Sequence, residues 1–250
     1  MKRILVLLSI TFFSCHNNSK NSPSRVTIPV EHIDATPDQQ ARRKRSEAFC
    51  KEHEVPFYTN PTAMFTDPEE RVELRTKDSV VDRVLALCYI GLKSEGLSKN
   101  ILDQLGKDWQ IMDKLSPEEK GYVMAAVPTD QQRTNANWRY EDLHVLLWSL
   151  GFVDSLDYPN HMCVVANDVK ILHDLKEPVF RQKARLRSKK EILDQADLIL
   201  RLDWACVNAR TKTLPAPAGL NGEVVTERHY ALNWLIGYLN QAWDNVRTDT

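Results

Sequence analysis

An all-α fold, a single compact body of about seven or eight helices with little or no sheet, is what this sequence predicts. Three observations predict it. Apolar residues recur at helical spacing in segment after segment, and several segments open with Ser followed three residues later by Glu or Asp. No stretch sustains the apolar-polar alternation of a half-buried strand. In 250 residues no long low-complexity break follows the first forty, so one domain is expected.

The beginning, MKRILVLLSITFFSC, has two basic residues and then an apolar run from Ile4 to Phe13. Ten residues rise about 15 Å as a helix, half a bilayer core, so residues 1–14 read as a signal peptide and not as a membrane span. The end of the run resembles a bacterial lipobox, with Ser14 before the cleavage point and Cys15 as the acylated residue, although Phe12 stands where a small aliphatic is usual. The alternatives are a plain secretory peptide or an uncleaved anchor. Residues 15–37, rich in Asn and Ser, read as a lipidated flexible tether, and 38–250 as the helical domain. That places the chain in the bacterial cell envelope, with the membrane as partner through Cys15. Within the tether, RVTIPV alternates, but Pro29 limits it to an edge strand or an extended docking segment.

Thr36 and Pro37 open the first helix, which Val55 and Pro56 stop; Arg42, Arg43, Lys44 and Arg45 make its basic cluster, read as a solvated face in preference to a lipid contact. Ser79 and Asp82 have capping-box spacing before VVDRVLALCYIGL, whose apolarity marks a buried helix. A short amphipathic segment covers Lys99 to Leu105. Ser116, Pro117 and Glu119 start another helix, Trp138 to Gly151 spans a further one, and LDYPNHMCVVANDVKILHDL holds one more.

The last quarter carries two helices that are too apolar for a surface. In the first, opened by Ser188 and Glu191, Asp197, Arg201, Trp204 and Asn208 share a stripe about 60° wide, and Leu, Ile, Ala, Cys and Val fill most of the rest. In the second, Asn221 is the cap, the pattern runs to Val246, and Leu232, Leu235, Ile236, Leu239 and Ala242 form an apolar face with Arg228 in its middle. An unpaired charge there would cost several kcal/mol, so Arg228 needs a carboxylate: Asp197, Asp244 or Glu141.

WRYEDLHVLLWSLGFVD, EILDQADLILRLDWACVNAR, VVTERHYALNWLIGY and WDNVRTDT, with RKRSEAFCKEHEVPF near the start, resemble in this order the bacterial family called domain of unknown function 4272, over roughly residues 42 to 250. The matching positions are Trp138, Arg139, Glu141, Trp148, Asp197, Arg201, Trp204, Glu227, Arg228, His229, Asn233, Trp234, Trp243, Asp244 and Asp249. The resemblance implies a helical domain and brings no established activity. Most members of that family are expected in the cytoplasm, so the lipoprotein-like start is a local addition.

The chemistry is sparse. Glu227, Arg228 and His229 put a carboxylate, a cation and an imidazole in one turn, which could serve acid or base catalysis, but consecutive helical residues point in three directions and a structural hub is favoured. Glu141 and His144 have the Glu-x-x-His spacing of carboxylate-bridged metal bundles without the second copy such a site needs; His161 and Cys163 stand isolated, and no metal is expected. No phosphate-cradling glycine loop or GxSxG elbow is present, and no cofactor is expected. Cys50, Cys88, Cys163 and Cys206 could pair in three ways, but the apolar setting of Cys88 and Cys206 favours free thiols. Without Lys2 and Arg3 the formal charge goes from -1 to -3, which argues against nucleic acid as partner.

These readings converge on a binding or interaction module with a polar-aromatic cleft beside the two C-terminal helices. Arg201 and Arg228 would meet an anionic group, Trp138 and Trp204 would form walls, and Glu227, His229 and Asn233 would hydrogen-bond, with Arg139, Glu141 and Asp197 in the same set. The competing expectations are a hydrolase or transferase using Glu227 or His229 as acid or base, and a purely protein-binding or scaffolding role.

Overall fold

A computed structural model describes residues 34–60 and 63–250, and the compact body comprises 35–250. The expected signal peptide, the expected lipidation residue Cys15 and most of the expected tether, including RVTIPV, lie outside the described residues. Eight α-helices and four short 3-10 turns make up the regular structure, with no strand among the described residues. None of these helices is long and apolar enough to cross a membrane.

The helices are α1 (Pro37–Glu52), α2 (Lys77–Ser94), α3 (Lys99–Asp108), α4 (Pro117–Met124), α5 (Asp130–Ser149), α6 (Val165–Lys183), α7 (Lys189–Thr211) and α8 (Gly222–Leu235). In space the main packing order is α2, α5, α8, α7, α1, with α3 and α4 against α2 and α6 against α5 and α2. The middle of the row is buried on two sides, which explains why α7, α8 and the second half of α5 are largely buried; α2, at one end, is covered by α3, α4 and α6. At the α2–α5 crossing Gly91 admits the Tyr140 ring: a Cβ on Gly91 would stand 2.7 Å from Tyr140 Cε1 and 2.8 Å from its hydroxyl.

Four capped helix starts follow the sequence, among them α8, where the Asn221 side chain accepts from the Glu223 and Val224 amides. Thr36, Ser116 and Ser188 each form a capping box, closed by Gln39, Glu119 and Glu191, with Pro at the first turn of α1 and α4. Two other starts need correcting. α2 begins at Lys77, because Thr76 Oγ1 takes the Ser79 amide at 3.2 Å and makes Ser79 an interior residue instead of the cap. α5 begins two turns before Trp138, capped by Thr129 with Gln132; its first turns carry Ala136 alone as an apolar residue and so lack the apolar period that marks a helix.

The last helix is also shorter than expected. α8 stops at Leu235 because Gly237 adopts φ +69° just beyond the cap, where any added Cβ would come within 3.1 Å of Glu73 O. The chain then runs on through 3-10 turns at Tyr238–Asn240 and Trp243–Asn245, so Leu239, expected on the buried face, is 61% exposed. Trp243 still packs inward, edge-on to Tyr230 and Trp234 and under the Arg83 guanidinium. In the basic cluster of α1, Arg42 is buried, bound to Asp38 at 2.9 Å and to the Thr66 hydroxyl at 2.7 Å, which leaves Lys44 and Arg45 exposed. α6 is interrupted at Lys176 (φ +58°, ψ 159°), two residues before Pro178.

Candidate functional site

Glu227, Arg228 and His229 are spaced 100° apart around α8, and each meets a different neighbour. Glu227 Oε2 accepts from Arg139 Nη1 of α5 at 2.9 Å. Arg228 donates from Nε to Glu141 Oε2 at 3.2 Å and from Nη1 to the Asp157 carbonyl at 2.6 Å. His229 Nδ1 lies 2.8 Å from Asp203 Oδ2 of α7, and both side chains are buried. Of the three carboxylates open to Arg228 in the sequence, Glu141 is therefore the partner. Asp197 is taken by Arg201, one turn further along the same helix, at 2.9 Å. The Asn233 amide donates to the Arg247 carbonyl at 2.7 Å, and Trp204 stacks on Tyr58 with ring centroids 5.5 Å apart.

Arg139 joins two carboxylates, since the same Nη1 donates to Asp142 Oδ2 at 3.0 Å, and its guanidinium lies 4.6 Å over the Tyr230 ring. Burial pushes the Asp142 carboxyl well above the usual carboxylate range; Glu227 beside it adds to the rise and Arg139 opposes it. Burial works against the Arg139 charge too, but Asp142 and Glu227 outweigh it and raise the guanidinium further.

The sequence-derived residues divide among four cavities instead of sharing one cleft. Trp138 and Glu227 line an open groove of about 680 Å³ with Cys206, Arg210 and Leu214. Arg139 lines a cavity of about 360 Å³ with Tyr122 and Trp243. His229 and Asn233 reach only a space of about 40 Å³. Arg228 lines a more enclosed pocket of about 370 Å³ between α1, α7, α8 and residues 156–159. Glu141, Asp197, Arg201 and Trp204 line none of these four.

In the Arg228 pocket, Leu156, Leu198, Ile199, Leu202 and Leu232 give apolar surface, and Phe49, His53 and Tyr158 lie one against the next, with centroids 4.2 and 5.0 Å apart. Arg228 is 4% exposed, and its Nη2 has no acceptor among the described residues. Sequence reasoning found Arg228 but missed the Asp157 carbonyl, Asp142, Asp203 and Arg210. Only Asp142 left a signal, the i, i+3 spacing from Arg139.

A row of helices whose buried guanidinium groups pair with carboxylates of the same or a neighbouring helix, with a mostly apolar pocket against one of them, defines an all-α domain with an internal charge lattice. The chain belongs to the family described as domain of unknown function (DUF4272), whose sequence model matches residues 42–246. No curated protein and no solved structure matches it.

Proposed function

We propose that this domain is a binding module for a compact, mostly apolar molecule that presents one carboxylate or carbonyl to Arg228. The observation that supports this most is a nearly buried guanidinium in the wall of a mostly apolar pocket, with no acceptor for its Nη2 among the described residues. About 370 Å³ lies at the small end of ligand pockets. Because Glu141 already balances the Arg228 charge, orientation by one hydrogen bond and burial by the leucine walls carry the recognition.

The test is thermal unfolding in a panel of small aromatic and aliphatic carboxylic acids and their amides. Binding at a hundred times Kd would stabilise by about 2.7 kcal/mol. Leu198→Trp, which fills the pocket and leaves the ion pair intact, is expected to abolish the shift. A panel that leaves the melting point unmoved, or a shift that survives Leu198→Trp, would overturn the reading.

One observation favours an enzymatic reading in second place: Arg139 holds Asp142 and Glu227 together, and Glu227 opens onto the 680 Å³ groove where it could exchange a proton with a substrate. Turnover lost in Glu227→Gln and kept in Leu198→Trp would favour it. His229 is a weaker candidate for that work, being closed in against Asp203.

We further propose that the chain is an envelope lipoprotein held to the membrane through Cys15, on the strength of the basic start and the apolar run before it. Labelling with palmitate in a bacterial host, lost in Cys15→Ala, is the expected result. Unlabelled wild-type protein would reject the anchor.

A further inference from the structure

His144, Cys163 and Asp168 are far apart in sequence pattern, yet the fold brings them together where α5 meets the start of α6. His144 Nδ1 lies 2.9 and 3.1 Å from the two Asp168 oxygens, and one ligand atom from each of the three residues lies within 4.8 Å of the others. Asp168 is 2% exposed, and His144 is its hydrogen-bond partner. Cys163 is fixed against α5 twice: its amide donates to Glu141 Oε1 and its thiol to the Tyr140 carbonyl.

From these positions the geometry points to a site for a zinc-class divalent ion, with His144, Cys163 and Asp168 as its three protein ligands and an open fourth position. Imidazole, thiolate and carboxylate are the donors that zinc takes, whereas calcium and magnesium want oxygen alone. Around zinc, with bonds of about 2.0 to 2.3 Å, tetrahedral ligand atoms stand roughly 3.3 to 3.7 Å apart. The present arrangement reaches that with side-chain shifts on the order of 1 Å, the His144–Asp168 pair opening from 2.9 Å as the metal takes the place of their hydrogen bond.

Charge also balances, since one thiolate, one carboxylate and a neutral imidazole cancel a divalent ion. Binding breaks the Cys163 S–H bond and forms a sulfur–metal bond, and the proton goes to water. Glu141 serves as a positioning residue, because the same carboxylate that neutralises Arg228 holds the Cys163 backbone in place. The Glu-x-x-His spacing thus places a ligand and its support, not two ligands.

The experiment is titration of the full chain, stripped with a chelator, with Co²⁺. The expected result is one ion per chain, with a sulfur-to-cobalt charge-transfer absorption that Zn²⁺ displaces. Cys163→Ser should lose that band, and His144→Gln and Asp168→Asn should weaken binding at least ~10-fold. Should Cys163→Ser fail to fold, alkylation of the wild-type protein with peptide mapping answers instead: Zn²⁺ should protect Cys163 and leave the labelling of Cys50, Cys88 and Cys206 as it was. Cobalt bound without the charge-transfer band, a band that survives Cys163→Ser, Cys163 alkylated equally with and without zinc, or no binding at all would overturn the site.

Discussion

Asp197 and Arg201 form an ion pair within one helix, with side chains 1% and 5% exposed. Asp197 Oδ2 and Arg201 Nε find no partner among the described residues, so the pair carries desolvation that its one hydrogen bond only partly offsets. Removing one member is expected to cost about 3–5 kcal/mol, while Asp197→Leu with Arg201→Met should be neutral or stabilising by about 1–4 kcal/mol. Urea unfolding of the two single variants and the double variant measures this directly. A double variant as unstable as the sum of the singles would contradict it. Arg228 differs because it has two acceptors from two elements. The wheel put both guanidinium groups inside, and that much was legible; which neighbour would supply the carboxylate was not, because periodicity gives the facing direction of a side chain and says nothing of what stands opposite.

At the scale of elements, Ser116 and Glu119 separate two kinds of contribution. The Ser116 hydroxyl accepts the Glu119 amide at 3.3 Å, an ordinary cap whose loss as Ser116→Ala should cost about 1 kcal/mol. Glu119 closes the box and also binds Arg83, 5% exposed, at 3.0 Å through both carboxylate oxygens. Glu119→Ala would strand that cation, so a loss of about 3–5 kcal/mol is expected in denaturant titration, well beyond the cap. Equal losses for the two variants would show the pair to be of no consequence. The starts of α1, α4 and α7 could be read from the chain because each stands next to a proline or an apolar run. The start of α5 could not, since from Asp130 to Asn137 Ala136 is the one apolar residue and a single position sets no period. The stop of α8 had a signal in Gly237 that the surrounding apolar residues masked.

For the whole molecule, titration sets the range of stability. Burial works against the charges of Asp38 and Asp194, but the Thr36 hydroxyl, the Glu69 amide and Arg42 outweigh it at Asp38, and Arg45 and Lys190 at Asp194, so both carboxyls sit below their usual range. A depressed carboxyl contributes stability above its unfolded value of about 3.9 and loses it as the pH falls further. Burial pushes the Cys50, Cys88 and Cys206 thiols up to about 11, 12 and 11. A raised thiol contributes fully below its unfolded value of about 8.5 and loses that contribution as the pH climbs toward the folded one. The urea midpoint should therefore fall on the acid side as Asp38 and Asp194 protonate and on the alkaline side as the thiol contribution is lost, while the raised Asp142 carboxyl adds a decline as the pH climbs above about 3.9; an alkaline arm that stays level to pH 10 would show these thiols to be accessible. The interruption of α6 at Lys176 gives this body a seam. Before it, Asp168 is moored to α5 through His144; after it, Arg181 is tied to Asp82 of α2 at 2.6 Å and its carbonyl to Lys77. Residues 165–175 and 177–183 are thus held by different neighbours, so amide exchange in α6 is expected to divide at the seam into two units that open separately.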